Sequence, residues 1–189
     1  MRHTPDFSFA PEPVARYSGL AITLHWLLAL LVIGLLGVGV WMTGLKTSPT
    51  KIAVYGWHKA LGLTVLALAV LRLLWRVHRP PPPLAESIPA WQVALATQAH
   101  RAMYTLLLAM PLSGWLQNSA AGFPLTWFGL FKVPALIARD KAAFAFWQQA
   151  HEWLSWALMA LIVLHVLAAL KHHYLDRDDA LKRILPWKP

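Results

Sequence analysis

This chain alternates between long apolar stretches and short charged segments. No formal charge lies between Arg16 and Lys46, and none lies between Arg101 and Lys132. Each interval exceeds the ~20 apolar residues with which a helix crosses the hydrocarbon core of a bilayer. The pattern therefore predicts one membrane-spanning helix in each interval.

Two shorter stretches have the same character. Residues 52–75 are apolar apart from Lys59 and Arg72 near their ends, where long side chains can reach the interface. No charge lies between Glu152 and Lys171. We therefore predict an all-α membrane protein, a four-transmembrane-helix bundle that forms a single integral membrane domain over residues 1–189. The predicted helices are about 20–43, 53–76, 91–118 and 150–174, with a long loop at about 119–148.

Composition agrees with this class and narrows the chemistry. The sequence is 58% hydrophobic, far from the balance of a soluble domain. It contains no cysteine, which excludes disulfides, thiolate metal sites and the C-x-x-C-H attachment of a c-type haem. Any haem in this protein is therefore expected to be held non-covalently.

The net charge of +9 indicates an orientation in the membrane. Four helices put both termini on one side, and basic residues gather in the cytoplasmic segments of membrane proteins. Eleven of the 17 lysines and arginines lie on the side of the termini, which predicts that both termini are cytoplasmic. Because membrane spans divide these charges, they form no continuous basic stripe, and we expect no nucleic-acid partner.

Five histidines lie inside or at the ends of the apolar stretches. Ionisable side chains are rare in a bilayer and usually mark a functional site there. Two of them are fourteen residues apart on the fourth predicted helix, so they project from nearly the same face, ~21 Å apart along the axis. One helix can therefore supply ligands at two depths. The five are His25, His58, His100, His151 and His165.

The direction of each predicted helix gives the depth of its histidines in the bilayer. His58 and His151 begin helices two and four on the outer side, whereas His25 and His165 lie nearer the termini. Two facing imidazoles can fill both axial positions of a haem iron in a bundle core. The residues therefore predict two haems, one per pair, as a transmembrane electron path. Interhelical hydrogen bonding and a metal or proton path remain the alternatives.

Neighbouring residues can contribute to the same sites. His100 is an alternative ligand to His25 or His165, or a contact for a haem propionate, as Arg101 can be. Several glycines either admit a flat macrocycle to the backbone or allow close helix packing. They are Gly34, Gly37, Gly39, Gly56, Gly62 and Gly114.

Short segments around the histidines carry a resemblance to a known family. These segments are Leu24-His25-Trp26, Trp57-His58-Lys59, Ala99-His100-Arg101, Ala150-His151-Glu152 and Leu164-His165, the last followed by Lys171-His172-His173-Tyr174. Together they resemble the bacterial cytochrome b561 family, and within it the four-helix branch that includes the diheme superoxide oxidase. The resemblance extends over nearly the whole chain.

The resemblance implies a cofactor set and a reaction. It implies a bacterial inner-membrane protein with two haem b groups, His58 and His151 being the periplasmic ligands and His25 and His165 the cytoplasmic ones. It further implies an oxidoreductase that oxidises superoxide at the periplasmic face and reduces ubiquinone near the cytoplasmic face.

Two further histidines are candidates for the ubiquinone site. His172 is seven residues beyond His165, hence on nearly the same helical face, where it could meet a quinone headgroup. We expect His172 or the adjacent His173 to give a hydrogen bond or proton to the reduced quinone. An interfacial anchoring role is the alternative for this pair.

Six basic residues on the periplasmic side face only Asp140 and Glu152. This imbalance would steer an anion such as superoxide inward, although basic residues are also ordinary at a membrane interface. Lys132, set among aromatic residues, is the preferred catalytic candidate. Two other functions stay open: a haem b electron-transfer subunit linking the quinone pool to another redox partner, and a non-redox metal or proton transporter.

Overall fold

The computed structural model describes residues 16–82 and 89–187. Within these ranges the chain forms four helices and one small hairpin. Most of the proline-rich connection between the second and third helices, and the N-terminal tail, lie outside the described residues. The elements are α1 (Gly19–Thr43), α2 (Pro49–His78), α3 (Ala90–Ala121), β1 (Leu125–Trp127), β2 (Phe131–Val133) and α4 (Lys141–Tyr174).

The helices begin where polar side chains cap them. Ser18 caps α1 by accepting a hydrogen bond from the backbone N–H of Ala21. Ser48 does the same for α2, with Pro49 at the first helical position, where its missing N–H costs nothing. α2 therefore begins a turn earlier than the predicted residue 53.

Helix α4 departs most from the sequence-based expectation. Asp140 Oδ1 accepts from the backbone N–H of Ala143 at 2.6 Å and caps the helix. The alanine-rich run that follows favours a helix, so α4 starts at Lys141 instead of about 150. The predicted loop at 119–148 is correspondingly shorter, and the aromatic residues at its end belong to the first turns of α4.

The shortened loop also contains a two-stranded antiparallel hairpin. β1 and β2 pair with Thr126 opposite Lys132 and Trp127 opposite Phe131. Trp127 donates from its indole Nε1 to Thr64 Oγ1 of α2 at 3.1 Å. The hairpin is thereby fixed against the side of the bundle.

The four helices share one apolar core. Consecutive helices pack against each other, and each helix contributes buried side chains to a central cluster. Pro111 lies inside α3, which continues through it. The cluster consists of Leu28, Val32, Val65, Ala69, Leu107 and Leu158.

The outside of the bundle carries many large apolar side chains. Among the described residues, α1, α2 and α4 are long and apolar enough to cross a membrane. Large apolar side chains such as Leu30, Leu74 and Leu164 are exposed on these helices. Such a surface is suited to lipid, since water would not favour so much exposed apolar area.

The two ends of the bundle differ. At one end, which we call the terminal end, the C-terminal segment packs against the start of α1: Trp26 Nε1 donates to the Ile184 carbonyl at 2.8 Å, and the Arg16 guanidinium donates to the Leu185 carbonyl at 2.5 Å. The opposite end, which carries the β1–β2 hairpin, we call the hairpin end.

Candidate functional site: two groups of buried histidines

Three histidines meet at the terminal end. The ring centroids of His25 and His165 are 6.3 Å apart, and those of His100 and His165 are 5.8 Å apart. α1, α3 and α4 each supply one ring, so the cluster joins three helices. The structure therefore brings together the two residues of one predicted pair and adds His100 as a third member.

Arg72 of α2 completes the terminal-end cluster. One guanidinium nitrogen donates to the Ala21 carbonyl at 2.8 Å, and the other lies 3.4 Å from His25 Nδ1. The sequence pattern suggested an interfacial role for this side chain, but it points between α1 and α2 instead. Arg101, the predicted propionate contact, lies exposed beside His100.

The second predicted pair lies at the hairpin end. His58 of α2 and His151 of α4 line the same cavity. The space among its lining residues, including the part open to the outside of the bundle, is about 430 Å³. Apart from the two imidazoles, the walls are apolar. They include Val32, Leu35, Leu36, Gly62, Val65, Leu107, Met110, Pro111 and Leu158.

The orientation of His151 is set by hydrogen bonds to α3. Its Nδ1 lies 3.1 Å from the Met110 carbonyl and 2.9 Å from Ser113 Oγ, and the Ser113 hydroxyl itself donates to that carbonyl at 2.7 Å. Because a carbonyl only accepts, Nδ1 carries the ring proton. The Nε2 lone pair is then free for a metal, as in histidines held by a second hydrogen-bonded partner.

His58 faces the same cavity with an unsatisfied polar atom. Its Nδ1 is buried and has no hydrogen-bond partner among the described residues. Buried polar atoms are nearly always paired, so an orphaned one indicates a missing group. The structure thus presents two imidazoles with nitrogen atoms available in one apolar cavity.

The glycines shape the space around these rings. A Cβ at Gly114 would lie 2.9 Å from His151 Cε1, and one at Gly39 would lie 3.4 Å from His58 Cε1, so both glycines allow an imidazole to approach the backbone. At the other glycines singled out in α1 and α2, a Cβ would meet nothing within 4 Å. These positions leave room beside the helices instead of closing a helix–helix contact. They are Gly34, Gly37, Gly56 and Gly62.

The hairpin carries the predicted catalytic lysine. Lys132 lies exposed in the middle of β2, next to Phe131, whose ring stacks on Trp127 with centroids 5.4 Å apart. A second cation was not singled out by sequence: Lys59, adjacent to His58, donates to Asn118 Oδ1 at 3.1 Å. Asn118 is neutral, so this hydrogen bond brings no negative charge to the Lys59 side chain.

His172 and His173 lie at the end of α4. His172 Nδ1 is 2.7 Å from Asp178 Oδ2 and 3.2 Å from Asp176 Oδ2, while Lys171 pairs with Asp176. His173 Nδ1 is buried without a hydrogen-bond partner among the described residues. Sequence reasoning missed Asp178, although its position six residues after His172 in a charged tail was the available signal.

The donor set and the apolar lining of the cavity fit a haem. Neutral imidazole nitrogens are the ligands that b-type haem iron takes, and the cavity walls are apolar, as a porphyrin requires. Apolar helices with histidines converging in the bundle interior define a membrane-bound b-type cytochrome.

Comparison with known proteins gives the family. The family model described as prokaryotic cytochrome b561 matches residues 16–187. This chain belongs to the prokaryotic cytochrome b561 family, whose members are electron-transfer proteins of the membrane. Membership implies b-type haem and electron exchange with quinone or other redox partners in the membrane.

Curated relatives extend over nearly the full chain. Cytochrome b561 homolog 2 of Escherichia coli (strain K12) is 40% identical, covering 95% of this chain and 95% of its own length. Cytochrome b561 homolog 1 of the same organism is 30% identical, covering 90% and 97%. A protein of Yersinia pestis named probable superoxide oxidase CybB is 31% identical, covering 92% and 97%.

Proposed function

We propose that this chain is a diheme b-type cytochrome that takes electrons from superoxide at the hairpin end and delivers them to ubiquinone at the terminal end. The observation that carries the proposal is the presence of two histidine groups at opposite ends of one bundle. Two superoxide anions each lose one electron and leave as O₂, and one ubiquinone gains two electrons and two protons to become ubiquinol.

In this proposal each histidine group holds one haem. His58 and His151 are the ligands at the hairpin end. His25 and His165 are the ligands at the terminal end. His100 and Arg101 are the candidate contacts for the haem propionates. When bound, haem b supplies a reversible one-electron couple. An iron held by two histidines would offer no free position to a substrate, so these residues would favour electron transfer over chemistry at the metal.

The four helices would all span the bacterial inner membrane. α3 is 32 residues long, or ~48 Å at the α-helical rise, and it packs between α2 and α4. Its polar residues can be covered by those neighbours within the bundle. The excess of basic residues at the terminal end supports cytoplasmic termini and a periplasmic hairpin.

Cations at the hairpin end would attract the electron donor, superoxide. Lys132 is exposed on the hairpin, and Lys59 lies beside His58 with a neutral partner. Both add positive potential where a superoxide anion would approach the outer site. The name of the Yersinia pestis relative, probable superoxide oxidase CybB, supports the choice of superoxide.

His172 and His173 would serve the acceptor. Asp178 holds His172 through Nδ1, so its Nε2 is the nitrogen that can exchange a proton with a quinone oxygen. His173, with its unpartnered buried Nδ1, is the second donor candidate. Reduction of ubiquinone consumes protons, and these imidazoles are suited to pass them from the cytoplasmic side.

A pulse experiment tests the proposal. The purified, oxidised holoprotein in detergent with ubiquinone should show the absorbance changes of b-type haem within milliseconds of a superoxide pulse, followed by ubiquinol formation. Haem analysis should give two haems per polypeptide. Superoxide would be removed as the donor if the haem stayed oxidised after the pulse and superoxide decayed no faster than in a protein-free control.

A second candidate keeps the haems and replaces the donor. The two Escherichia coli relatives are named as cytochrome b561 homologs without a substrate. A haem b subunit that links the quinone pool to a separate dehydrogenase or other redox partner satisfies the same geometry. The pulse experiment separates the two, because this second protein would be reduced by ubiquinol but not by superoxide. Family membership favours either redox function over a metal or proton transporter.

A further inference from the structure

The two histidine groups have opposite electrostatic surroundings. At the hairpin end, the ring proton of His151 is directed to the Met110 carbonyl, a hydrogen-bond acceptor. At the terminal end, the Arg72 guanidinium lies 3.4 Å from His25 Nδ1 and places a positive charge beside that ring. One site therefore meets the negative end of a dipole and the other a full positive charge.

The positive charge of Arg72 is held in place and forms no ion pair within the described part of the chain. Arginine stays protonated in proteins, and Arg72 is held in place by the Ala21 carbonyl. None of the ion pairs found within residues 16–82 and 89–187 involves Arg72. Its guanidinium lies 3.4 Å from His25 Nδ1, the His25 and His165 ring centroids are 6.3 Å apart, and those of His165 and His100 are 5.8 Å apart. Every ligand candidate at this end is therefore exposed to the same cation.

The other charged groups described at the terminal end do not pair with Arg72. Arg76 lies over the Tyr104 ring at 5.7 Å and adds to the positive potential. Asp176 and Asp178 are already paired with Lys171 and His172. These two carboxylates are thus engaged within the C-terminal segment.

Among the described residues, no arginine or lysine is found in contact with the His58 or His151 ring. Lys59, which follows His58 in the sequence, is directed to Asn118. Hydrogen-bond donation from Nδ1 to a carbonyl makes an imidazole a stronger electron donor through Nε2, and this favours the oxidised form of a metal bound there. A nearby cation favours the reduced form, because reduction adds a negative charge.

We infer that Arg72, with the Met110 carbonyl acting in the opposite sense at the other end, gives the terminal-end site the higher reduction potential, so that an electron passes preferentially from the hairpin end to the terminal end. This inference rests on the proposed two-haem arrangement. It gives a direction to an otherwise symmetric pair of bis-histidine sites and assigns Arg72 the role of a tuning residue.

A redox titration of purified holoprotein variants tests the inference without using turnover. Arg72→Gln keeps hydrogen-bond donors for the Ala21 carbonyl and removes the charge. The electron distribution between the two haems, followed by absorbance and electron paramagnetic resonance, should shift about tenfold or more away from the terminal-end haem, and tenfold corresponds to 59 mV for a one-electron couple. Arg72→Lys, which keeps the charge, should shift it much less.

Arg79→Gln is the matched control, because it removes the same charge from an exposed position near the same end of α2. Equal potentials in Arg72→Gln, Arg79→Gln and the unaltered protein would overturn the inference. Loss of the terminal-end haem from both Arg72→Gln and Arg72→Lys would also overturn it, because Arg72 would then be a binding residue. Failure of superoxide to reduce the protein would refute the proposed donor and leave these potentials measurable.

Discussion

His25 and His165 face each other across the terminal end of the bundle with ring centroids 6.3 Å apart. A bond between a metal and an imidazole nitrogen is roughly 2 Å long, so two rings that share one ion have centroids about 6 Å apart. The spacing therefore matches a shared metal. His100, 5.8 Å from His165, meets the same criterion and makes the choice of partner an experimental question.

Removing a ligand should cost one haem and leave the other. We expect His165→Ala and His25→Ala each to lower the haem content from two to about one per polypeptide, because an iron with one protein ligand is weakly held. His100→Ala should retain both haems. Pyridine haemochrome analysis of the purified variants measures the content.

His78→Ala is the control for this series, because His78 lies exposed at the end of α2, beside Trp75. It should retain both haems. A His100→Ala variant with one haem, alongside a His25→Ala variant with two, would exchange the assigned roles of these residues.

Haem binding at the hairpin end should also be sensitive to a small change in α3 at Gly114. In Gly114→Ala the new Cβ would lie 2.9 Å from His151 Cε1, closer than atoms can pack. A ring held by a metal cannot move away freely, so we expect the hairpin-end haem to bind about 1–3 kcal/mol less tightly. Thermal release of haem, followed by absorbance, measures the loss.

Gly34→Ala provides the matched comparison. A Cβ at Gly34 meets nothing within 4 Å, and alanine favours a helix over glycine by roughly 0.5–1 kcal/mol. This variant should hold its haem at least as well as the unaltered protein. If both variants released haem at the same temperature, the contact between Gly114 and His151 would be irrelevant to binding.

The intervals without charge were sufficient to predict four helices, and the direction of those helices predicted which histidines lie at the same end of the bundle, whereas the β1–β2 hairpin was not predicted. Four helices form close to the predicted ranges, and His25 meets His165. The start of α4 was wrong because its determinant is one cap, Asp140. Arg72, Met110 and Asp178 were missed as contacts because they meet their histidines through side-chain direction and through backbone carbonyls, which no sequence spacing reveals.

Charge at Lys132 should affect the encounter with superoxide. If the proposed donor is right, Lys132→Gln should slow haem reduction by pulsed superoxide roughly twofold to tenfold at low salt, because the local potential attracts the anion. The difference should vanish at 1 M salt, where the Debye length falls to about 3 Å. Lys132→Arg, which keeps the charge, should behave like the unaltered protein. If the haem of Lys132→Gln were reduced by superoxide at the normal rate at low salt, Lys132 would have no role in superoxide capture.

Asp178 should affect the rate at which the electron acceptor, ubiquinone, is reduced. Asp178→Asn keeps the side-chain shape but removes the carboxylate that lies 2.7 Å from His172 Nδ1, so the imidazole loses the partner that fixes which nitrogen carries the proton. We expect ubiquinone reduction by the pre-reduced protein to slow several-fold, while haem content and the rate of haem reduction by superoxide stay unchanged. Asp179→Asn, which breaks the neighbouring ion pair with Lys182, is the control for the stability of the C-terminal segment. If both variants reduced ubiquinone at the same rate, His172 would act only as an anchor of the C-terminal segment, and proton delivery would have to be sought at His173.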